Sequence, residues 1–227
     1  MANGIVIREL NAQDLGGLTK IHLAAFPDSA LTKLGKEAVR RYYKWLLEGP
    51  HQAIRLGALV NAELAGFCFG GIFHGAMSGF LRNNRLYLSL CVLRRPWIAT
   101  NPIFRDRIAN ALIILRKNKH NPHPQPELNK PTTRPFGILA IAVDPRQQGL
   151  GLGKLLMEEA EQVARQQGFR EMNLTVSTAN HRAIRFYESL DWGKVIKNSA
   201  WEGGMKKTLQ IQAGASEYTA NQSLYSS

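Results

Sequence analysis

Residues 137–153 read GILAIAVDPRQQGLGLG, and this stretch decides the fold. The run from 138 to 143 is apolar without interruption, which is typical of a strand buried on both faces of a sheet. Asp144 and Pro145 end the strand, and glycines follow at positions 149, 151 and 153. A strand, a glycine-rich turn and a helix in this order form an anion site. Glycines admit a phosphate close to the backbone, and the free N–H groups at the helix start point toward it.

Two other phosphate-binding loops are excluded by the spacing of these residues. A Walker A loop requires Ser or Thr after its Lys, whereas Leu155 follows Lys154. A Rossmann fingerprint has the form G-x-G-x-x-G, and its third glycine would have to stand at Lys154. The spacing that remains is Q-x-x-G-x-G, from Gln148 to Gly153.

The sequence on either side of this stretch predicts an alternation of strands and helices. Downstream, an amphipathic helix spans about 151–167, and Gly168 stands where a left-handed C-terminal cap is expected. Asn180 is positioned to cap a second helix. Strands are predicted at 3–10, 54–60, 64–72, 172–176, 194–196 and 204–209, and helices at 14–26 and 35–47.

Most of the net charge of +12 lies in residues 78–134, which contain eleven Lys or Arg and two acids. Apolar runs at 86–93 and 108–115 predict helices there, each followed by a pair of cations. One interpretation is an insertion that packs its apolar face on the domain and solvates its arginines. The other, motivated by Trp97 and the paired arginines, is an acceptor-binding lid or an element that lies on a membrane surface.

Composition and patterning exclude several classes of protein. The longest apolar runs are about six residues, far below the ~20 of a membrane-spanning helix, and the N-terminus lacks a secretory pattern. Cys68 and Cys91 lack the spacing of a metal site or a disulfide framework. We therefore expect a cytoplasmic protein without a bound metal. The basic segment has few interleaved aromatic residues, so nucleic acid is not an expected partner.

Together with the strand ILAIAV before it and the helix after it, the Q-x-x-G-x-G spacing resembles the central motif of the GNAT acetyltransferases. The stretch LTVSTANHRAIRFYESLDW, residues 174–192, resembles the next block of that family, and residues 205–209 resemble its closing strand. The resemblance implies an α+β fold in which helices flank a mixed, mostly antiparallel central sheet, with a helical insertion (about 78–134) between the third and fourth strands. It implies one domain over residues 1–209, followed by a polar tail (210–227) that the composition predicts to be disordered.

The resemblance also implies where acetyl-CoA would bind. In this family the fourth and fifth strands splay apart, and the pantetheine arm lies between them on backbone groups of the fourth strand, here Ile141, Ala142 and Val143. The pyrophosphate is expected on the backbone amides of Gln148, Gly149, Leu150, Gly151, Leu152, Gly153 and Lys154. Asn180 matches a position that contacts the pantetheine arm, although a helix cap alone would also explain this asparagine.

Tyr187 matches the tyrosine that protonates the leaving thiolate in this family. A phenol of pKa ~10 can donate its proton without being ionised at neutral pH. The alternative for Tyr187 is a core aromatic residue on the buried face of its helix. No general base stands out, because His22, Asp28, Glu37 and His74 could border the acceptor cleft but could equally be structural or solvated.

These expectations describe an N-acetyltransferase that moves an acetyl group from acetyl-CoA to a primary amine by direct attack. The basic insertion favours an anionic small-molecule acceptor. Two hypotheses remain open beside it: a CoA-binding sensor or scaffold with little turnover, and a peripheral membrane protein whose insertion lies on anionic lipid. The oligomeric state is open.

Overall fold

The computed structural model describes residues 4–73, 75–94 and 135–210. Strands in these residues are β1 (Ile5–Glu9), β2 (Gln52–Val60), β3 (Glu63–Ile72), β4 (Phe136–Val143), β5 (Glu171–Thr175), β6 (Gly193–Lys197) and β7 (Ala200–Thr208). Helices are α1 (Leu15–Ala25), α2 (Ala30–Leu34), α3 (Lys36–Glu48), α4 (Ala76–Asn83), α5 (Arg85–Arg94), α6 (Leu152–Gln166) and α7 (His181–Glu188). Short 3-10 turns at Ala12–Asp14 and Pro145–Gln147 precede α1 and the glycine-rich loop.

All seven strands form one sheet in the order β1-β2-β3-β4-β5-β7-β6. Neighbouring strands are antiparallel except β4 and β5, which are parallel. Helices pack on both faces of this sheet. The predicted α+β fold with a mixed, mostly antiparallel central sheet is therefore confirmed.

Each face of the sheet has its own apolar core, because successive side chains of a strand point to opposite faces. On one face, α1 and α3 bury residues such as Leu18 and Tyr43 against Phe67 and Phe69 of β3. On the other face, α6 and α7 cover Cys68 of β3 together with apolar residues of β4, β5 and β7. The two cores meet at β3 and β4, in the middle of the sheet.

Helix α6 is held to the sheet by its apolar face and by one buried charged residue. Glu161 is 5 % exposed, and its carboxylate accepts hydrogen bonds from Lys207 of β7 at 2.7 Å and from Arg165 at 3.2 Å. The predicted cap at Gly168 is confirmed, since this residue has φ +78° and its N–H donates to the Arg165 carbonyl. The Phe169 N–H donates to the Ala164 carbonyl, so the carbonyls at this end of α6 are bonded within the chain.

Helices α4 and α5 lie between β3 and β4, where the insertion was predicted, and α5 matches the helix predicted at 86–93. The helix predicted at 108–115, the tryptophan at 97, the histidine at 74 and nearly all of the tail lie outside the described residues. None of the helices in the described part of the chain combines the length and the apolar character that a membrane-spanning segment requires.

Two features differ from the sequence prediction. Helix α2 was not predicted, because it has only five residues and follows the break at Pro27; it is capped by the Ser29 hydroxyl, which accepts from the Thr32 N–H. The apolar run of β4 predicted burial on both faces, yet Leu139 is 38 % exposed. Its exposure arises because β5 turns away from β4 next to this residue.

Candidate active site

The parallel strands β4 and β5 pair over a short length and then separate. Phe136, Gly137 and Ile138 pair with Met172, Asn173 and Leu174, and there the pairing ends. Strand β4 continues to Val143 along β3, with one irregularity that leaves Leu139 without a partner in the register. The β5-facing edge of residues 139–143 is therefore not paired with β5. This edge carries Ile141, Ala142 and Val143, the three residues predicted to meet the pantetheine arm.

The glycine-rich loop connects the end of β4 to α6. At its start Asp144 is 4 % exposed, and one of its oxygens accepts from the Arg146 N–H at 3.0 Å. The Arg146 guanidinium donates to both Asp144 oxygens, and these hydrogen bonds lower the pKa of the Asp144 carboxyl to about 2. This pair fixes the direction in which the chain leaves β4.

Gly149 and Gly151 have φ +89° and +74°, in the left-handed region that glycine adopts without strain. A Cβ at either position would meet no atom within 4 Å, so neither glycine is required by protein packing. Gln148, Gly149, Leu150 and Gly151 are all exposed. The loop is thus shaped by its glycines and open on its outer side.

Helix α6 begins without a side-chain cap. Its N-cap residue is Gly151, and its first bond to a carbonyl four residues back runs from the Leu155 N–H to the Gly151 carbonyl, at 3.1 Å. The N–H groups of Leu152, Gly153 and Lys154 precede that bond and have no acceptor within the helix. The positive end of the helix dipole therefore points into the open loop, which is the geometry of an anion site.

Gly153 connects the loop to α7. A Cβ at this position would lie 3.3 Å from the ring of Phe186 and 3.9 Å from Val143, so glycine lets α6 approach α7 and β4 closely. Phe186 in turn packs against Tyr187, with 5.3 Å between the ring centroids. The start of α6, the end of β4 and the predicted acid are consequently parts of one packed unit.

Tyr187 lies on α7 with 8 % of its surface exposed. Burial, and secondarily the nearby Cys68 thiol, raise the pKa of the Tyr187 hydroxyl far above its usual value, so it stays protonated at neutral pH. Cys68 is the partner of Ile141 in the β3–β4 register, which puts the tyrosine beside the middle of β4. The hydroxyl makes no hydrogen bond with another described residue. Tyr187 is thus both a core aromatic residue and a protonated phenol next to the β4–β5 gap.

Asn180 is exposed and caps α7, since its side-chain oxygen accepts from the Ala183 N–H at 3.1 Å. The helix-cap interpretation of this residue is therefore observed. Its predicted contact with a pantetheine arm is compatible with the cap, because the capping bond uses one face of the amide oxygen and leaves the amide N–H₂ exposed.

A cavity of about 600 Å³ opens on the face of the sheet opposite α6 and α7. It extends over β4, β5, β7 and β6, and it reaches Leu139 and Thr175, where β4 and β5 separate. Two cations, Lys197 and Lys206, and one carboxylate, Glu171, are among its described lining residues. The Lys206 ammonium donates to Glu171 at 3.3 Å, so Lys197 gives this cavity an excess of positive charge.

The sequence prediction did not identify the lining of this cavity. Residues of β5 alternate between the buried Met172 and Leu174 and the more exposed Glu171, Asn173 and Thr175. This alternation signals a strand with one open face. It does not reveal that the open face lies beside a gap in the sheet.

Three of the four residues considered from the sequence as general bases are described, and the structure does not assign that role to any of the three. His22 is 7 % exposed, its Nδ1 lies 2.8 Å from the Tyr43 hydroxyl, and burial lowers its pKa to about 4. Asp28 and Glu37 form exposed ion pairs with Lys33 and Arg41. In the described part of the chain, no group of three or more His, Cys, Asp and Glu residues could hold a metal ion.

The family model described as "Acetyltransferase (GNAT) family" matches residues 115–192. No curated protein matches the sequence significantly.

Solved structures share the fold at low sequence identity. The PaiA N-acetyltransferase of Thermoplasma acidophilum, in complex with coenzyme A, is 16 % identical, and the match covers 90 % of this chain and 99 % of that one with a TM-score of 0.53. The ribosomal-protein-S18-alanine N-acetyltransferase of Escherichia coli is 15 % identical, with 93 % and 97 % covered and a TM-score of 0.52. YncA of Salmonella typhimurium, with its cofactor acetyl-CoA, is 17 % identical, with 93 % and 97 % covered and a TM-score of 0.52.

The matched segment contains the glycine-rich loop, the start of α6 and the helix that carries Tyr187. The fold is shared over nearly the whole of the compared chains. The match of residues 115–192 to the model of the acetyltransferase (GNAT) family and the shared fold both agree with the resemblance seen in the sequence.

Proposed function

We propose that this protein transfers an acetyl group from acetyl-CoA to a primary amine of a small-molecule acceptor by direct attack. The observation that carries the proposal is the gap between β4 and β5. At one end this gap begins beside a cavity lined by polar side chains, and along β4 it leads to the uncapped start of α6. A thioester in the gap would therefore be reached from the cavity while its phosphates lie on the loop.

The loop and the edge of β4 support acetyl-CoA as the cosubstrate. The loop from Gln148 to Gly151 is exposed, and the first N–H groups of α6 up to Lys154 have no acceptor within the helix, which suits a pyrophosphate. The unpaired edge at Ile141, Ala142 and Val143 offers backbone groups to the amides of a pantetheine arm. Two proteins with this fold have coenzyme A or acetyl-CoA in their structures, in agreement with this assignment.

The reaction needs an uncharged amine and an acid for the leaving group. The amine nitrogen attacks the thioester carbonyl carbon, the C–N bond forms, the C–S bond breaks, and the nitrogen loses a proton to water. Tyr187, whose hydroxyl is protonated at neutral pH, would donate its proton to the departing thiolate and regain one from water. Alignment of the amine with the thioester supplies a further large part of the rate.

The cavity supports an amine acceptor that also carries a negative charge. Lys197 has no carboxylate partner among the described lining residues, and Asn173 and Thr175 offer hydrogen-bonding groups beside it. Two of the proteins that share the fold are N-acetyltransferases, and one of them is named for an alanine of ribosomal protein S18. An amine nitrogen as the acceptor atom is consistent with both.

The cosubstrate site is tested by calorimetry with acetyl-CoA on Gly151→Glu and on a matched variant, Gly168→Glu. The two glycines have similar positive φ values, and a Cβ at either meets no atom within 4 Å, so both substitutions impose similar backbone strain. Only Gly151 lies at the start of α6. We expect at least about a hundredfold weaker binding for Gly151→Glu, because a carboxylate would repel the pyrophosphate, and little change for Gly168→Glu.

An equal loss of acetyl-CoA affinity in both variants, or no binding by the wild type, would show that the loop connects β4 to α6 without binding the cosubstrate. Turnover is measured separately, as release of the coenzyme A thiol in a panel of primary amines. Binding without thiol release from any amine would contradict the transferase proposal and favour the CoA-binding module.

A further inference from the structure

Helix α5 has an apolar face that is exposed to solvent. Leu86, Leu90 and Leu93 are 75 %, 52 % and 78 % exposed. Their spacing of four and three residues puts all three on one side of the helix. We call these three leucines the α5 stripe. A row of exposed leucines on a helix marks an interaction surface more often than an isolated exposed leucine does.

The orientation of α5 is fixed by contacts on its other side, so the α5 stripe is not free to turn inward. The Arg41 guanidinium lies 4.5 Å from the centroid of the Tyr87 ring and also contacts the Asn84 side chain. Leu88 packs on the core beneath α3. The preceding helix α4 buries Phe80 completely. The fold therefore presents the α5 stripe outward.

The surroundings of the α5 stripe are basic. Arg85 and Arg94 stand at the two ends of the helix, Arg82 precedes it, and all three are exposed. Residues 75–94 contain no Asp or Glu. Positive charge without interspersed acids attracts an anionic partner.

We infer that the α5 stripe docks on an anionic phospholipid surface. A helix binds such a surface when exposed apolar side chains enter the acyl region near the headgroups and neighbouring cations contact the phosphates. The α5 stripe supplies the apolar contact, and Arg82, Arg85 and Arg94 supply the cations.

Other occupants fit these charges less well. Two copies of this chain related by a twofold axis would bring the same arginines face to face, and like charges repel. The segment 95–134 of the same chain is itself strongly basic, so it would add positive charge to the surface. A nucleic acid would satisfy the arginines but would leave the three leucines without a role.

The experiment is co-sedimentation of the full chain with vesicles at about 0.1 M salt. One set of vesicles is phosphatidylcholine alone, and the other contains about 30 % phosphatidylserine. We expect binding to the anionic vesicles only. The triple variant Leu86→Ser, Leu90→Ser, Leu93→Ser and the double variant Arg85→Glu, Arg94→Glu should each lower the partition coefficient by at least about tenfold.

Two control variants make the same chemical changes elsewhere on the surface. Val6→Ser with Ile196→Ser removes exposed apolar side chains from the sheet, and Lys44→Glu with Arg170→Glu changes the net charge by the same amount as the arginine variant. Both controls should bind like the wild type. Thermal unfolding of every variant verifies that the fold is intact.

Several results would overturn the inference. These are absence of wild-type binding to anionic vesicles, binding that survives the three serine substitutions, and equal losses in the control variants. A leucine-dependent dimer seen by light scattering, without vesicle binding, would assign the surface to a second copy. Binding to polyuridine in place of vesicles would assign it to nucleic acid.

Discussion

The two faces of the sheet each bury a tyrosine against its central strands, and the two hydroxyl groups are in different situations. On the α1–α3 face, Tyr43 is 1 % exposed, packs against Phe67 and Phe69, and shares a hydrogen bond with the buried His22. On the α6–α7 face, Tyr187 is 8 % exposed and has no hydrogen-bond partner among the described residues. Burial raises the pKa of both hydroxyls.

Both tyrosines are therefore neutral phenols. They differ in whether the hydroxyl already has a hydrogen-bond partner among the described residues. The Tyr43 hydroxyl contributes to stability through its hydrogen bond, whereas the Tyr187 hydroxyl can still bond to a ligand or to water. We expect a structural role for Tyr43, whereas the hydroxyl of Tyr187 remains available for the acid role proposed above. Three predictions test this comparison, beginning with the largest expected effect.

The first prediction concerns Tyr187→Phe. If the hydroxyl protonates the leaving thiolate, kcat should fall by about a hundredfold to ten-thousandfold, as is typical for loss of a general acid. The dissociation constant for acetyl-CoA should change by less than about threefold, because the backbone amides that bind the phosphates are unaffected. Kinetics with thiol detection and calorimetry measure the two quantities. An unchanged kcat would show that Tyr187 is a core aromatic residue and not the proton donor.

The second prediction concerns pH and His22, the partner of Tyr43. Burial lowers the pKa of His22 to about 4, below the ~6.5 of an unfolded chain, so the unfolded state takes up the proton first. The stability that depends on neutral His22 is complete above pH ~6.5 and is lost as the pH falls toward ~4. The loss should reach about 3 kcal/mol in the free energy of unfolding.

Denaturant titrations at several pH values measure this loss, with His22→Gln as the control. The glutamine can still hydrogen-bond to Tyr43 but does not titrate. The variant should therefore show a flatter pH dependence over this range. A slope identical to that of the wild type would assign the acid sensitivity to other groups.

The third prediction concerns Tyr43→Phe, the counterpart of the first. Loss of the hydroxyl leaves His22 without its 2.8 Å partner and should lower the free energy of unfolding by about 1–2 kcal/mol. At a temperature where the variant is folded, kcat should stay within about threefold of the wild type. If Tyr43→Phe and Tyr187→Phe reduced kcat equally, the distinction between the two faces would be wrong.

Local signals in the sequence account for the part of the fold around the loop. The strand predicted at 138–143 is observed as Phe136–Val143, and the helix predicted at 151–167 as Leu152–Gln166. Glycine, proline and apolar periodicity act within a few residues of the structure they determine, so they are readable without knowledge of the fold. The cap at Gly168 was predicted for the same reason.

Features that depend on distant parts of the chain were not readable in this way. The exposure of Leu139 depends on where β5 leaves β4, and the two strands are separated by the whole of α6. The separation of the strands was predicted only from the resemblance to a family. The contribution of Lys197 to the cavity depends on β6 lying at the edge of the sheet beyond β7.

The short pairing of β4 with β5 also has a mechanical consequence. These strands pair at three positions, fewer than any other neighbours in the sheet, whereas β2 and β3 pair at nine. Because backbone hydrogen bonds give a sheet its stiffness, the boundary between β4 and β5 is the most compliant line across it. We expect the strands on the two sides of this boundary to move relative to each other more than other neighbouring strands do. A molecule that forms hydrogen bonds to both β4 and β5 would stiffen this boundary. The stiffness of the whole domain would therefore differ between the free and the ligand-bound protein.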